Sequence, residues 1–305
     1  MVSATSVKRT TQVCMTGLVA FCLPAYGSDR EPAEVVNSSP DISHPPVAHN
    51  LWRSLTLSHG ITRHDYREPD PLGRVDPLDS ETGNLPTTQA TLRWHGKLTQ
   101  ALPEMVAQAQ ASYAQGQTDY NGYLQQGITL IPFQAHTGNT FQEYHLRAGL
   151  PLNAFTQSSP STRWTQHIAP YLEQGWHHWQ RNLAQYGETY TWQSTSVGVM
   201  ALWSLADLSL PKFSRYTVEA DISTGRTHHS HINAPALGFA ADLASTYVHR
   251  AALALHYAAT PDWSMGLRYQ MQRINLGASP IVAGFKYPGS SNHQQSYAMS
   301  LSRIF

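Results

Sequence analysis

From Leu51 onward, apolar and polar residues alternate with a period of two, in segments of about ten residues separated by turn-forming stretches. A period of two places every second side chain on one face of a strand. In the first segment Leu51, Leu55, Leu57 and Ile61 share one parity, and Ser54, Thr56 and Ser58 belong to the other. Residues 88–98 set Ala90, Leu92 and Trp94 against Arg93, His95 and Lys97, and residues 141–152 set Tyr144, Leu146 and Ala148 against Glu143, His145 and Arg147. Further segments follow at 105–114, 164–179, 191–203, 213–224, 246–257, 263–272 and 295–305, ten in all. The four-residue spacing of Trp164, Ile168, Leu172 and Trp176 also fits a helix, but the alternating neighbours favour a strand. Redrawing this segment or residues 239–246 would give eight or twelve strands.

The connections alternate short and long. The long ones cover 65–87, 115–139, 180–190, 225–245 and 274–293, and the short ones carry Pro, Ser or Asp. One apolar face per strand and one-sided loops describe an all-β, antiparallel, up-and-down transmembrane β-barrel. Its apolar face meets lipid and its polar face the lumen.

The last strand, residues 295–305, carries Tyr297, Met299, Leu301 and Phe305 on one parity and ends on an aromatic residue. It resembles the C-terminal strand of outer-membrane β-barrel proteins of Gram-negative bacteria, departing from that pattern at Arg303. The resemblance implies an outer-membrane location, with Tyr297, Met299, Leu301 and Phe305 read by the barrel-assembly machinery and with lipid and lipopolysaccharide as neighbours. The stretches 118–123 and 186–192 resemble rim segments of poorly characterised barrels of this class, and this looser resemblance spans residues 51–305 without implying catalytic residues.

Residues 1–27 read as a signal peptide, with Lys8 and Arg9 before an apolar stretch from Val13 to Leu23 and small residues at Ala25 and Gly27. Both cysteines, Cys14 and Cys22, fall within it, so the exported chain is expected to have no disulfide or thiolate site. Residues 28–49, with four prolines and no periodicity, read as a flexible periplasmic tail, and residues 50–305 as the barrel. The 20 basic and 20 acidic residues cancel, and charged residues make up only 13% of the chain, so no nucleic-acid surface is indicated.

The inward parity collects Arg93, Lys97, Arg147, Arg215, Arg250 and Arg268 with Glu143, Glu173, Glu219 and Asp221. Long side chains of both signs in so narrow a barrel are expected to pair and fill it, leaving no wide aqueous pore. The first long loop is rich in carboxylates, among them Asp65, Glu68, Asp70, Asp76, Asp79 and Glu81. It lacks the spacing of a calcium-binding loop, so solvated acids or pairs with Arg67 and Arg74 are expected, with a divalent cation as the alternative.

In the fourth long loop, His228, His229 and His231 surround Ser230. Three imidazoles so close suggest a metal, and His228 beside Ser230 suggests a base and a nucleophile. His228-x-Ser230 is similar to the His-x-Ser of outer-membrane phospholipase A, although His231-Ile232 replaces the Asn-Gly that follows there. The acidic and histidine pairs of the omptin proteases are not found. The sequence therefore predicts a non-enzymatic surface protein whose long loops bind ligands or envelope components, and it predicts no cofactor. An outer-membrane hydrolase using His228 and Ser230 is the alternative, and a narrow small-solute channel the second.

Overall fold

The computed structural model describes residues 52–97, 103–126, 129–152, 168–184, 186–205, 210–282 and 286–305. The expected signal peptide and tail lie outside these. Eleven strands follow in chain order: β1 Trp52–Glu68, β2 Asp79–Gly96, β3 Met105–Gln126, β4 Thr129–Gly149, β5 Ile168–Leu183, β6 Tyr186–Ser204, β7 Tyr216–Ala234, β8 Phe239–Leu243, β9 Tyr247–Ala258, β10 Trp263–Leu276 and β11 Ser290–Ile304. Each spanning strand pairs antiparallel with its neighbours, and β1 pairs with β11 from Ser54↔Ile304 to Arg67↔Ser291, which closes the sheet. Closure pairs each spanning strand on both sides, and among the described residues β8 is paired along β7 alone. The five-residue β8 pairs with the outer end of β7, while β9 takes up the rest of β7, so the wall has ten spanning strands. Among the described residues no helix is long and apolar enough to cross a membrane; the chain crosses with strands.

The outward parity is apolar on every spanning strand. Leu57, Leu92, Tyr113, Leu146, Leu172, Val197, Ile222, Leu253, Leu267 and Met299, one from each, are between 44% and 70% exposed. A water-soluble protein rarely shows an apolar patch above a few hundred Å². A continuous belt of this kind has lipid as its solvent. At the short-turn end, Arg303 lies over the rings of Trp263 and Phe305, with its guanidinium carbon 5.5 and 5.1 Å from their centroids. The departure from the closing-strand pattern is thereby accommodated: the stem lies among interfacial aromatic rings, where the charged head can reach water.

The strands are taller than the alternation indicates, and this corrects the loop assignments. Of the long loop placed at 65–87, only 69–78 connects strands, and the loop at 115–139 is largely the paired ends of β3 and β4, with Gln115↔Thr140 and Gly116↔Asn139 in register. The segment at 180–190 belongs mostly to β5 and β6, and most of 225–245 belongs to β7 and β8. The reason is physical. An apolar outer face is needed only where the wall meets lipid, so alternation fades above it while the hydrogen-bond ladder continues. The ambiguous fifth segment is the strand β5, and residues 239–243 extend the wall above β9 rather than adding a crossing.

Candidate functional site

The interior is filled in tiers. Toward the short-turn end, Glu219 accepts two hydrogen bonds from Arg93, at 2.9 and 3.0 Å, and one from Arg268 at 3.3 Å. In the middle, Glu173 accepts from Arg147 at 2.8 Å and from Arg250 at 2.5 Å, while Asp221 takes a second bond from Arg147 and one from the Tyr171 hydroxyl at 2.6 Å. In the outer half, Arg181 bridges Glu81 at 2.5 Å and Glu188 at 2.6 Å. There the Trp179 indole donates to Asn139 at 2.7 Å and its ring stacks between Phe141 and Tyr190, with centroids 5.2 and 4.6 Å away.

Strict alternation builds these tiers. Glu143, His145 and Arg147 are successive inward positions of β4, and Tyr171, Glu173, Gly175, His177, Trp179 and Arg181 are those of β5. On β6 the inward positions facing Tyr171, Glu173 and Gly175 are small, Gly198, Ser196 and Ser194, whereas His177 and Trp179 face Trp192 and Tyr190. Charged residues of the middle tier thus fit against small ones, and the outer tier is aromatic on both strands. Gly198 is obligatory here, since an added Cβ would lie 2.4 Å from the Tyr171 ring. Gly175 keeps a comparable space, because its Cβ would sit 2.5 Å from the Ser194 hydroxyl and 2.7 Å from His177 Nε2.

Between the middle and outer tiers lies a chemically distinct cluster. His177 Nε2 is 3.0 Å from Ser194 Oγ, and its Nδ1 is 3.3 Å from Glu143 Oε1. His145 places Nε2 3.8 Å from Glu143 Oε2 and Nδ1 3.3 Å from Glu173 Oε1. Hydroxyl, imidazole and carboxylate stand in the order of an activated nucleophile. Space decides against that chemistry. Ser194, His177 and Glu143 are all buried, Trp192 stacks on the His177 ring at 4.9 Å, and the cavity beside Glu143 has a volume of about 50 Å³. This suits one or two waters and no acyl substrate.

Eight of the ten charged residues assigned to the lumen face inward: Arg93, Glu143, Arg147, Glu173, Glu219, Asp221, Arg250 and Arg268. Lys97 and Arg215 do not. Both are exposed at the short-turn rim, Lys97 just beyond β2 and Arg215 just before β7, where Arg215 donates to Tyr257 at 3.4 Å. The histidine segment is not a loop but part of β7, and His229 forms an irregularity there with φ +48°. This turns His228 to the outer face and Ser230 to the inner one, so the wall stands between the two residues of the expected dyad. Ser230 Oγ is buried with no hydrogen-bond partner, and His228 Nε2 lies 2.9 Å from Thr195. The three imidazoles do not converge: His228 and His229 touch at 3.1 Å, while His231 pairs with Asp242 at 2.9 Å.

The carboxylates of the first connection are likewise dispersed. Asp79 and Glu81 face the interior, where Asp79 accepts from Tyr120 at 2.5 Å, and Glu68 is bonded to Tyr66. Asp70 closes the turn at 69–78, accepting from the Arg74 backbone at 2.7 Å and its guanidinium at 2.9 Å. The Arg74 side-chain bond is the main influence holding the Asp70 carboxyl well below the usual carboxylate range. On the closing strand, Tyr297, Met299, Leu301 and Phe305 are exposed on the outer wall.

The outer wall carries a feature that the alternation did not reveal. A groove of about 990 Å³ crosses β6, β7, β9, β10, β11 and β1 toward the tall end. The register places Val197, Thr224, His249, Arg273, His293 and Asp65 in one row around the wall. One step toward the short-turn end, the row reads Val199, Ile222, Ala251 and Met271, and one step the other way it holds Arg67 and Ser291. Within the groove, apolar residues give way over a single side-chain repeat to mainly polar and basic ones, with Asp65 among them 3.4 Å from Arg67 Nε, and beyond Met271 the lower row continues through Gln295 to Arg63.

No family model matches the chain, and no curated protein matches it. Solved structures with a similar trace include the outer-membrane protease OmpT of Escherichia coli, at 10% identity over 84% of this chain and 97% of that one, with a TM-score of 0.47. The translocator domain of the autotransporter NalP of Neisseria meningitidis matches at 9% identity over 84% and 89%, with a TM-score of 0.40. The transport unit of the autotransporter AIDA-I of Escherichia coli matches at 10% over 85% and 92%, with a TM-score of 0.35. The expected short-and-long asymmetry of the connections is not kept, since residues 150–167 join β4 to β5 while only 127–128 and 184–185 join β3 to β4 and β5 to β6. The chain's own wall carries the assignment: ten closed strands and a lipid-facing apolar belt make it a transmembrane β-barrel of the bacterial outer-membrane type.

Proposed function

We propose that the protein is a non-conducting, non-enzymatic barrel of the outer membrane that works through its outer wall and rim, holding the phosphorylated glycolipid of the outer leaflet. The basic-edged groove carries this reading. Val199, Ile222, Ala251 and Met271 offer an apolar floor for acyl chains, and in this reading the edge formed by Arg273, Arg67, His249 and His293, with Asp65 beside Arg67, meets the headgroups. Lipopolysaccharide presents that chemistry, with acyl chains below anionic phosphates. The filled interior supports the same reading, because paired tiers from Glu219 to Trp179 leave solutes no conduit and substrates no room.

The test is lipopolysaccharide binding to the refolded barrel in detergent, compared with the double variant Arg67→Ala/Arg273→Ala and with Arg303→Ala at the opposite interface. A basic residue near an anionic surface contributes about 1 kcal/mol. The double variant is therefore expected to bind roughly thirtyfold more weakly, and Arg303→Ala as tightly as the parent. Equal affinity in all three would reject the groove as the binding surface.

A further inference from the structure

The geometry points to a transition-metal site inside the barrel: we propose that Glu143, His145 and His177 bind a zinc-class divalent cation. Among the described residues they form a group of potential ligand atoms within 4.8 Å of one another. Glu143 Oε1 stands 3.3 Å from His177 Nδ1, and Glu143 Oε2 stands 3.8 Å from His145 Nε2. Tetrahedral zinc with bonds of about 2.0–2.1 Å has ligand atoms about 3.3 Å apart. The Glu143–His177 spacing already matches that value, the Glu143–His145 spacing exceeds it by about 0.5 Å, and one donor atom from each of the three lies within 4.8 Å of the others.

The atoms behind the donors are arranged as a metal site requires. A ligating imidazole is oriented by a partner on its other ring nitrogen, most often a carboxylate. His145 turns Nδ1 toward Glu173 Oε1 at 3.3 Å, and Glu173 is itself fixed by Arg147 and Arg250. His177 holds Nε2 against Ser194 Oγ at 3.0 Å, which leaves Nδ1 for the ion. The Gln272 amide donates to Glu143 Oε1 at 3.3 Å. Ser194, which resembles a nucleophile, becomes in this arrangement the residue that orients a ligand.

Two further observations point to a missing partner. His145 is buried, and neither of its ring nitrogens makes a hydrogen bond of full geometry. The nearby arginines bond to other acids: Arg147 to Glu173 and Asp221, Arg250 to Glu173, and Arg93 and Arg268 to Glu219. A cation among the three donors would satisfy His145 and the Glu143 charge together. Two imidazoles and one carboxylate suit zinc and its neighbours rather than calcium or magnesium, which take oxygen ligands. The cavity of about 50 Å³ that Glu143 lines gives space for water to complete the coordination.

The full chain, refolded in detergent and dialysed against zinc chloride, tests this by elemental analysis and X-ray absorption. The expected result is one zinc per chain with a shell of two imidazoles and oxygen donors. Glu143→Gln, His145→Gln and His177→Gln, each checked for heat-modifiable gel mobility, are expected to lose the ion. Glu173→Gln is expected to weaken binding about 10–100-fold, and His228→Ala/His231→Ala to retain it. Where a ligand variant fails to fold, the absorption spectrum of the parent decides. No stoichiometric zinc in the folded parent, a shell of three imidazoles, or loss of the ion from the His228→Ala/His231→Ala variant would overturn the proposal.

Discussion

Glu173 shows how single residues hold this barrel. It faces two guanidiniums and an imidazole while almost wholly shielded from water. Glu173→Gln leaves Arg147 and Arg250 short of a counter-charge in the interior, and removing one partner of a buried pair typically costs about 3–5 kcal/mol. The expected outcome is a large fall in the urea midpoint. Lys97→Ala, at the exposed rim, should stay within about 0.5 kcal/mol of the parent. Asp70 gives a prediction of opposite locality. Its folded carboxyl titrates below the unfolded value of about 3.9, so its contribution is complete above that value and is lost as pH falls toward the folded one. The protection factors of the 69–78 turn, taken relative to the intrinsic exchange rate at each pH, should therefore fall below about pH 4, while those of the wall strands hold.

At the scale of strands, two faces obey two solvents. Leu267→Arg places a charge on the lipid face and should cost about 2–4 kcal/mol near the bilayer centre. Gly198→Ala drives a methyl group into the Tyr171 ring and should cost about 1–3 kcal/mol. Both are measurable by reversible unfolding in detergent or lipid vesicles. The same contrast explains what could be read beforehand. Alternation in β4, β5 and β10 correctly set Leu146, Leu172 and Leu267 outward and Arg147, Glu173 and Arg268 inward, because lipid contact imposes a period of two. It failed above the lipid, where β3 and β4 pair through Gln, Thr, Gly and Asn and neither face must be apolar. Trp179 and Arg181 continue the inward parity of Glu173 and His177, so following that parity past His177 would have located the outer tier. The meeting of Glu143 with His177 depends on the β4–β5 register, which a single-strand pattern does not contain. The irregularity at His229 was equally hidden, and it alone separates His228 from Ser230.

Over the whole molecule, the division of labour follows from closure. A ten-stranded wall has a narrow interior that paired side chains can fill, and here arginine–carboxylate tiers and an aromatic layer do so. The interior then serves rigidity, with the proposed metal joining β4 to β5. The exterior carries the varied chemistry: an apolar belt, aromatic rings at the short-turn end, and the groove edged by Arg67, Arg273, His249 and His293 that is proposed to meet the outer headgroups.

Planar-bilayer recording on the refolded barrel tests the sealed interior most directly. The account predicts no resolved conductance steps from the parent. Steady, ohmic steps from the folded parent would mean that water and ions thread the tiers, contradicting the closed lumen on which the reading of the outer wall depends.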